Sequence, residues 1–67
     1  MDTRTRQKID EEVKKHAKNP IKKNTLEEKL MEEYGITRDD AEDRVLAMIQ
    51  QGTLFEPEPG KVKMLRT

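Results

Sequence analysis

The chain has 67 residues, 14 basic and 14 acidic, with one histidine and no cysteine. That length allows one domain with a small core, and the missing thiols exclude disulfides and thiolate metal sites. Charged residues make up 42% and aromatics 3%, near the composition of disordered chains, yet 17 large apolar residues from Ile9 to Leu65 fall mostly at regular spacings.

The first segment, Arg4 to Lys18, has Ile9, Val13 and Ala17 at four-residue steps, which puts one apolar stripe on a helix. Asp2, Thr3 and Thr5 are all possible caps. Pro20 drives Asn19 out of helical space and closes the segment, and Ile21 follows in a short extended piece beside Lys22 and Lys23. In the next stretch, Thr25 and Glu28 have the spacing of a capping box. Leu26, Leu30, Met31 and Tyr34 give the helix an apolar face, and Gly35 ends it.

A third helix opens at the cap Thr37, places Asp39 and Asp40 in its first turn where the helix dipole favours them, buries Ala41, Val45, Met48 and Ile49, and stops at Gly52. The link from the second helix, Gly35-Ile36 with Thr37 as cap, predicts a tight helix-turn-helix corner. The last stretch, "GTLFEPEPGKVKML", reads as two short strands around a turn. Pro59-Gly60 suits the centre of a type II turn, and Pro57 suits a strand edge.

The expected fold is α+β, mainly α. It is a winged helix-turn-helix with helices at about 4–18, 26–34 and 38–51, a hairpin wing at 53–65, and residues 1–3 without order.

Gly52, Leu54, Phe55, Pro57, Pro59 and Gly60 follow a Gly-x-Ile/Leu-aromatic-x-Pro-x-Pro-Gly pattern after the last helix. In this the chain resembles the C-terminal winged-helix domain of archaeal minichromosome maintenance (MCM) replicative helicases. The distinctive part covers about a fifth of the chain, and residues 1–20 take almost no part in it. The resemblance implies an accessory module of a hexameric ring ATPase. ATP and magnesium would belong to the parent's motor, since no GxxxxGK[ST] loop occurs in these residues. It also implies an intracellular, cytoplasmic, nucleoid-associated setting. The absence of a membrane-spanning or signal-peptide run agrees with an intracellular site. The isolated domain is expected to be monomeric, with no cofactor of its own.

No catalytic role is expected. The chain lacks serine as well as cysteine, so a Ser–His or Cys–His nucleophile cannot be built. His16 lies in a lysine-rich turn with no carboxylate evident to orient it, and reads as a surface histidine. The acidic run Asp39, Asp40, Glu42, Asp43 lacks the alternation and bend glycine of a calcium loop. A solvated helix start accounts for it, and no metal ligands are assigned.

Charge is distributed unevenly. Residues 1–24 hold eight basic and four acidic groups, residues 25–58 three and ten, and residues 59–67 three and none. A winged helix that reads DNA lays its third helix in the major groove, and phosphate attraction requires that helix to be basic or neutral. Here Thr37–Arg44 carries four carboxylates against Arg38 and Arg44, which disfavours insertion.

Two other surfaces are candidates for weak, nonspecific DNA contact. One is the wing with Lys61, Lys63, Arg66 and Phe55. The other is the first helix and its exit, with Lys14, Lys15, Lys18, Lys22 and Lys23. The plainer alternative is that the lysines keep a small domain soluble while Phe55 packs under the hairpin. Asp39, Asp40, Glu42 and Asp43 are the protein-docking candidates. The favoured partner is the ATPase core of the parent helicase or another replication protein. A stand-alone winged-helix transcription regulator and a purely protein-interacting module are the alternatives.

Overall fold

The computed structural model describes residues 2–65 as α1 (Thr3–His16), β1 (Ile21–Lys22), α2 (Lys23–Tyr34), α3 (Arg38–Gln50), β2 (Leu54–Glu58) and β3 (Lys61–Met64). The start of the chain differs from expectation. Asp2 is the N-cap of α1, and its Oδ1 accepts the Thr5 amide at 2.7 Å, which holds its acid below the usual carboxylate range. Residues 2 and 3 are thus cap and first turn. At its far end α1 stops at His16, short of Lys18. The Ala17 carbonyl is instead taken by the Met64 amide at 2.8 Å, which ties the helix exit to the end of β3.

The expected Thr25–Glu28 capping box does not start α2. The helix begins earlier, at Lys23, with Lys22 as an N-cap whose side chain makes no capping bond. Its first amide donates to the Gly60 carbonyl, in the β2–β3 turn, at 2.9 Å. A tertiary acceptor replaces the side-chain cap, because β1 pairs with β3 and holds Ile21–Lys22 extended right up to the helix.

The remaining boundaries follow the local signals. The Gly35 amide closes α2 on the Met31 carbonyl at 2.9 Å. Thr37 Oγ1 accepts the Asp40 amide at 3.2 Å and caps α3. Beyond α3, the Gly52 and Thr53 amides return to the Ile49 and Met48 carbonyls at 3.1 and 2.9 Å, the paired bonds of a Schellman motif.

The sheet is antiparallel in the order β1-β3-β2, one strand more than expected. Ile21 opposes Val62 and Lys22 opposes Lys61. Leu54 opposes Met64 and Phe55 opposes Lys63, but Glu58 opposes Lys61. Three steps along β2 therefore match two along β3. The extra residue is a bulge at Glu56-Pro57, on an edge strand, where a proline without an amide breaks no needed bond. Gly60 has φ +81°, the positive angle that a type II turn demands after Pro59.

The core draws on every element but β1. Ile9, Val13 and Ala17 meet Leu26 and Leu30 of α2, Ala41, Val45 and Met48 of α3, Leu54 and Val62, all buried. Half-buried Ile21, Met31, Tyr34, Ile36, Ile49 and Met64 pack around them. The Tyr34 hydroxyl donates to the Lys8 carbonyl at 3.2 Å, fastening the end of α2 to α1. The fold is α+β and mainly helical, with three helices and three antiparallel strands among the described residues. No helix among the described residues is long and apolar enough to cross a membrane.

Candidate functional site

The outer surface of α3 follows from its helical period. Ala41, Val45 and Met48 point into the core, so Asp39, Glu42, Asp43 and Leu46, spaced i, i+3, i+4 and i+7, share the opposite face. Asp39, Asp40, Glu42 and Asp43 are all exposed, and Leu46 is 52% exposed.

The two cations of this segment are engaged elsewhere. Arg38 Nη1 donates to Glu27 Oε1 at 3.0 Å, and its Nη2 lies 3.9 Å from Glu28. Arg44 makes two parallel bonds to Asp10 of α1, at 2.9 and 3.2 Å. Among the described residues, none of the four candidate docking carboxylates has an ion-pair partner. The face is more negative than the residue count of the helix implies.

Beside this face, Val45, Leu46 and Ile49 form the apolar part of a cleft of about 360 Å³ between α3 and the start of α2. Lys23, Asn24, Glu27, Glu42 and Asp43 complete its lining. The Lys23 ammonium is drawn to Glu56 Oε1 at 2.8 Å. Glu27 is only 5% exposed. Burial raises its acid above the usual glutamate value and the charge of Glu42 adds to this, while the Arg38 bond works the other way.

The second candidate surface is the outer face of the sheet. Val62 is buried, so Lys61 and Lys63 project to the other side, together with their cross-strand partners Lys22 and Phe55. Like charges stand directly opposite at Lys22 and Lys61. Glu58 approaches Lys61 at 3.2 Å, whereas Lys22 and Lys63 have no ion-pair partner among the described residues. Phe55, 36% exposed, lies on this outer face rather than beneath the hairpin.

The structure therefore joins Lys22 to the hairpin lysines and neutralises Lys23 on Glu56. Exposed Lys14 and Lys15 sit in the last turn of α1, where cations suit the helix dipole, and exposed Lys18 follows that helix. No hydrogen bond or ion pair connects these three to the hairpin among the described residues. Arg66 lies outside the described residues.

His16 differs from expectation. Its Nε2 lies 3.1 Å from Glu12 Oε2, one turn back, so a carboxylate does orient it. The ligating atoms of Glu12, His16 and Glu33 come within 4.8 Å of one another, and Lys29 and Glu32 line the same hollow. No metal ligands were expected there. The i, i+4 spacing of Glu12 and His16 was the available signal for their pairing.

Sequence reasoning also missed the cleft. Burial of Glu27 and exposure of Leu46 follow from how α2 and α3 cross, a relation that neither helix's own periodicity contains. Compared with known proteins, the chain finds no matching family model, no matching curated protein and no matching solved structure.

Proposed function

We propose that this domain is a winged-helix accessory module of a replicative helicase of the minichromosome maintenance type, acting as a protein-docking regulator and not as a sequence reader. The observation that carries the docking role is the engagement of Arg38 and Arg44 by Glu27 and Asp10. It leaves α3 with a face of carboxylates, which repels the phosphates a recognition helix must approach and complements a basic protein surface. The assignment to a helicase rests on the hairpin pattern from Gly52 to Gly60. Docking on the ATPase ring would be reversible, with the tether to the parent supplying a high local concentration.

A weaker contact with DNA accompanies this reading. Lys22 and Lys61 repel each other across the ladder, and a phosphate placed between them relieves that repulsion. Phe55 beside Lys63 offers a base a surface to stack on.

The test is an amide chemical-shift titration of the domain, first with a short forked DNA at low salt, then with the ATPase core of an archaeal minichromosome maintenance helicase. The expected result is DNA shifts confined to Lys22 and Lys61–Met64, and ATPase-core shifts on Asp39–Leu46. DNA shifts centred on Arg38–Asp43 would overturn the docking role in favour of groove reading. An inert ATPase core would remove the replicative assignment.

A further inference from the structure

The cleft between α2 and α3 is built differently from the rest of the acidic surface. Its four ionisable lining residues are one cation, Lys23, and three anions, Glu27, Glu42 and Asp43. Lys23 is already neutralised by Glu56 and Glu27 by Arg38. Glu42 and Asp43 remain without a partner among the described residues, at the edge of an apolar strip formed by Val45, Leu46 and Ile49. A side chain of Leu46's size, half exposed beside two carboxylates, presents apolar contact and negative charge within one helical turn.

We propose that this cleft receives a basic amphipathic segment of a partner protein, with an apolar side chain laid on Leu46 and Ile49 and a lysine or arginine paired to Glu42 and Asp43. The proposal rests on the docking role given above and names the chemistry of the partner. Three features select that occupant. An apolar ligand without charge leaves Glu42 and Asp43 desolvated and unpaired. A purely basic strand or a polyamine leaves Leu46 in water. A nucleic acid is repelled by the same carboxylates. A helix carrying apolar anchors at i and i+3 or i+4, with cations beside them, meets both requirements.

The experiment titrates the whole domain, followed by amide shifts, with two synthetic peptides of equal charge. One is a short lysine- and arginine-rich helix with leucines along one face, and the other has serine at every leucine position. The leucine peptide is expected to shift Asn24, Glu27, Glu42, Asp43, Leu46 and Ile49 and to bind about tenfold tighter than the serine peptide, the value of one well-buried apolar side chain.

Leu46→Gln should erase that advantage. Because Leu46 is exposed, the thermal midpoint should stay where it was, which separates loss of the anchor from loss of the fold. Equal binding of both peptides, unaffected by Leu46→Gln, would overturn the cleft while leaving general acidic docking intact. Silence of the domain toward both peptides would overturn the two together. Binding of the leucine peptide with shifts centred on the sheet face would likewise reject the cleft.

Discussion

Arg44 and Asp10, 34 positions apart, face each other in a fork: Nε bonds Oδ1 at 2.9 Å and Nη2 bonds Oδ2 at 3.2 Å. Arginine is 15% and aspartate 27% exposed, so water screens the pair less than a surface bridge. The fork joins α1 to α3 and at the same time takes a positive charge from the docking face. One contact serves both packing and recognition.

Arg44→Lys keeps the charge but cannot make two parallel bonds. We expect it to cost about 1–2 kcal/mol, which lowers the thermal midpoint by about 4–8 °C per kcal/mol in a domain of this size. Asp10→Asn should cost a similar amount, and the two changes together less than their sum. Additive losses in calorimetry would show that the fork does not couple the helices.

Lys22→Glu separates stability from DNA contact. Replacing the like-charged pair at Lys22 and Lys61 by an opposite-charged one should stabilise the domain by about 0.2–1 kcal/mol. The same change should weaken binding to forked DNA and flatten its salt dependence. Chemical denaturation and fluorescence anisotropy at several salt concentrations check the two halves. Unchanged DNA affinity in the more stable variant would remove the sheet face from the account.

Gly60→Ala isolates the cost of a backbone angle. A Cβ at Gly60 meets nothing within 4 Å, so only its φ of +81° opposes the change. The expected loss is about 1–2 kcal/mol, with Gly60→Asn losing less, since asparagine tolerates positive angles better. Equal losses for alanine and asparagine would point to a different cause.

Glu27→Gln should reshape the pH profile. Burial raises the folded-state acid above its ordinary 4.5, so the folded chain holds this proton more tightly than the unfolded one. Stability from this source is full below the ordinary glutamate range and is lost as pH rises through the raised value. Glutamine can still accept the Arg38 bond without carrying the charge. The midpoint of the wild type minus that of the variant should therefore fall as pH climbs from 4 through the acid range. A difference that is flat, or that grows with pH, would contradict the sign.

Much of this architecture was legible because it is local. The four-residue spacing of Ile9, Val13 and Ala17 identified the buried stripe of α1, and Thr37 capped α3 as its type and position suggest. Pro59-Gly60 marked the turn that Gly60 makes. What escaped was decided by partners distant in sequence. Two residues, Ile21 and Lys22, are too few to show a strand's alternation, and only β3 makes them one. Thr25 and Glu28 had the right spacing for a cap, yet a distant carbonyl moved the helix start past them. The acidic face was visible in composition. Its completeness was not, because Arg38 and Arg44 are withdrawn by residues of other helices.

The bond from the Lys23 amide to the Gly60 carbonyl has a consequence for the order in which the chain becomes ordered. On a growing chain, α2 is made before Pro59 and Gly60, so its first amide then lacks the acceptor it has in the folded domain. The start of that helix can settle only when the hairpin folds back. Hydrogen exchange at Lys23 should therefore track opening of the hairpin turn and not fraying of α2 alone. The start of α2 is completed by the hairpin that follows it in the chain.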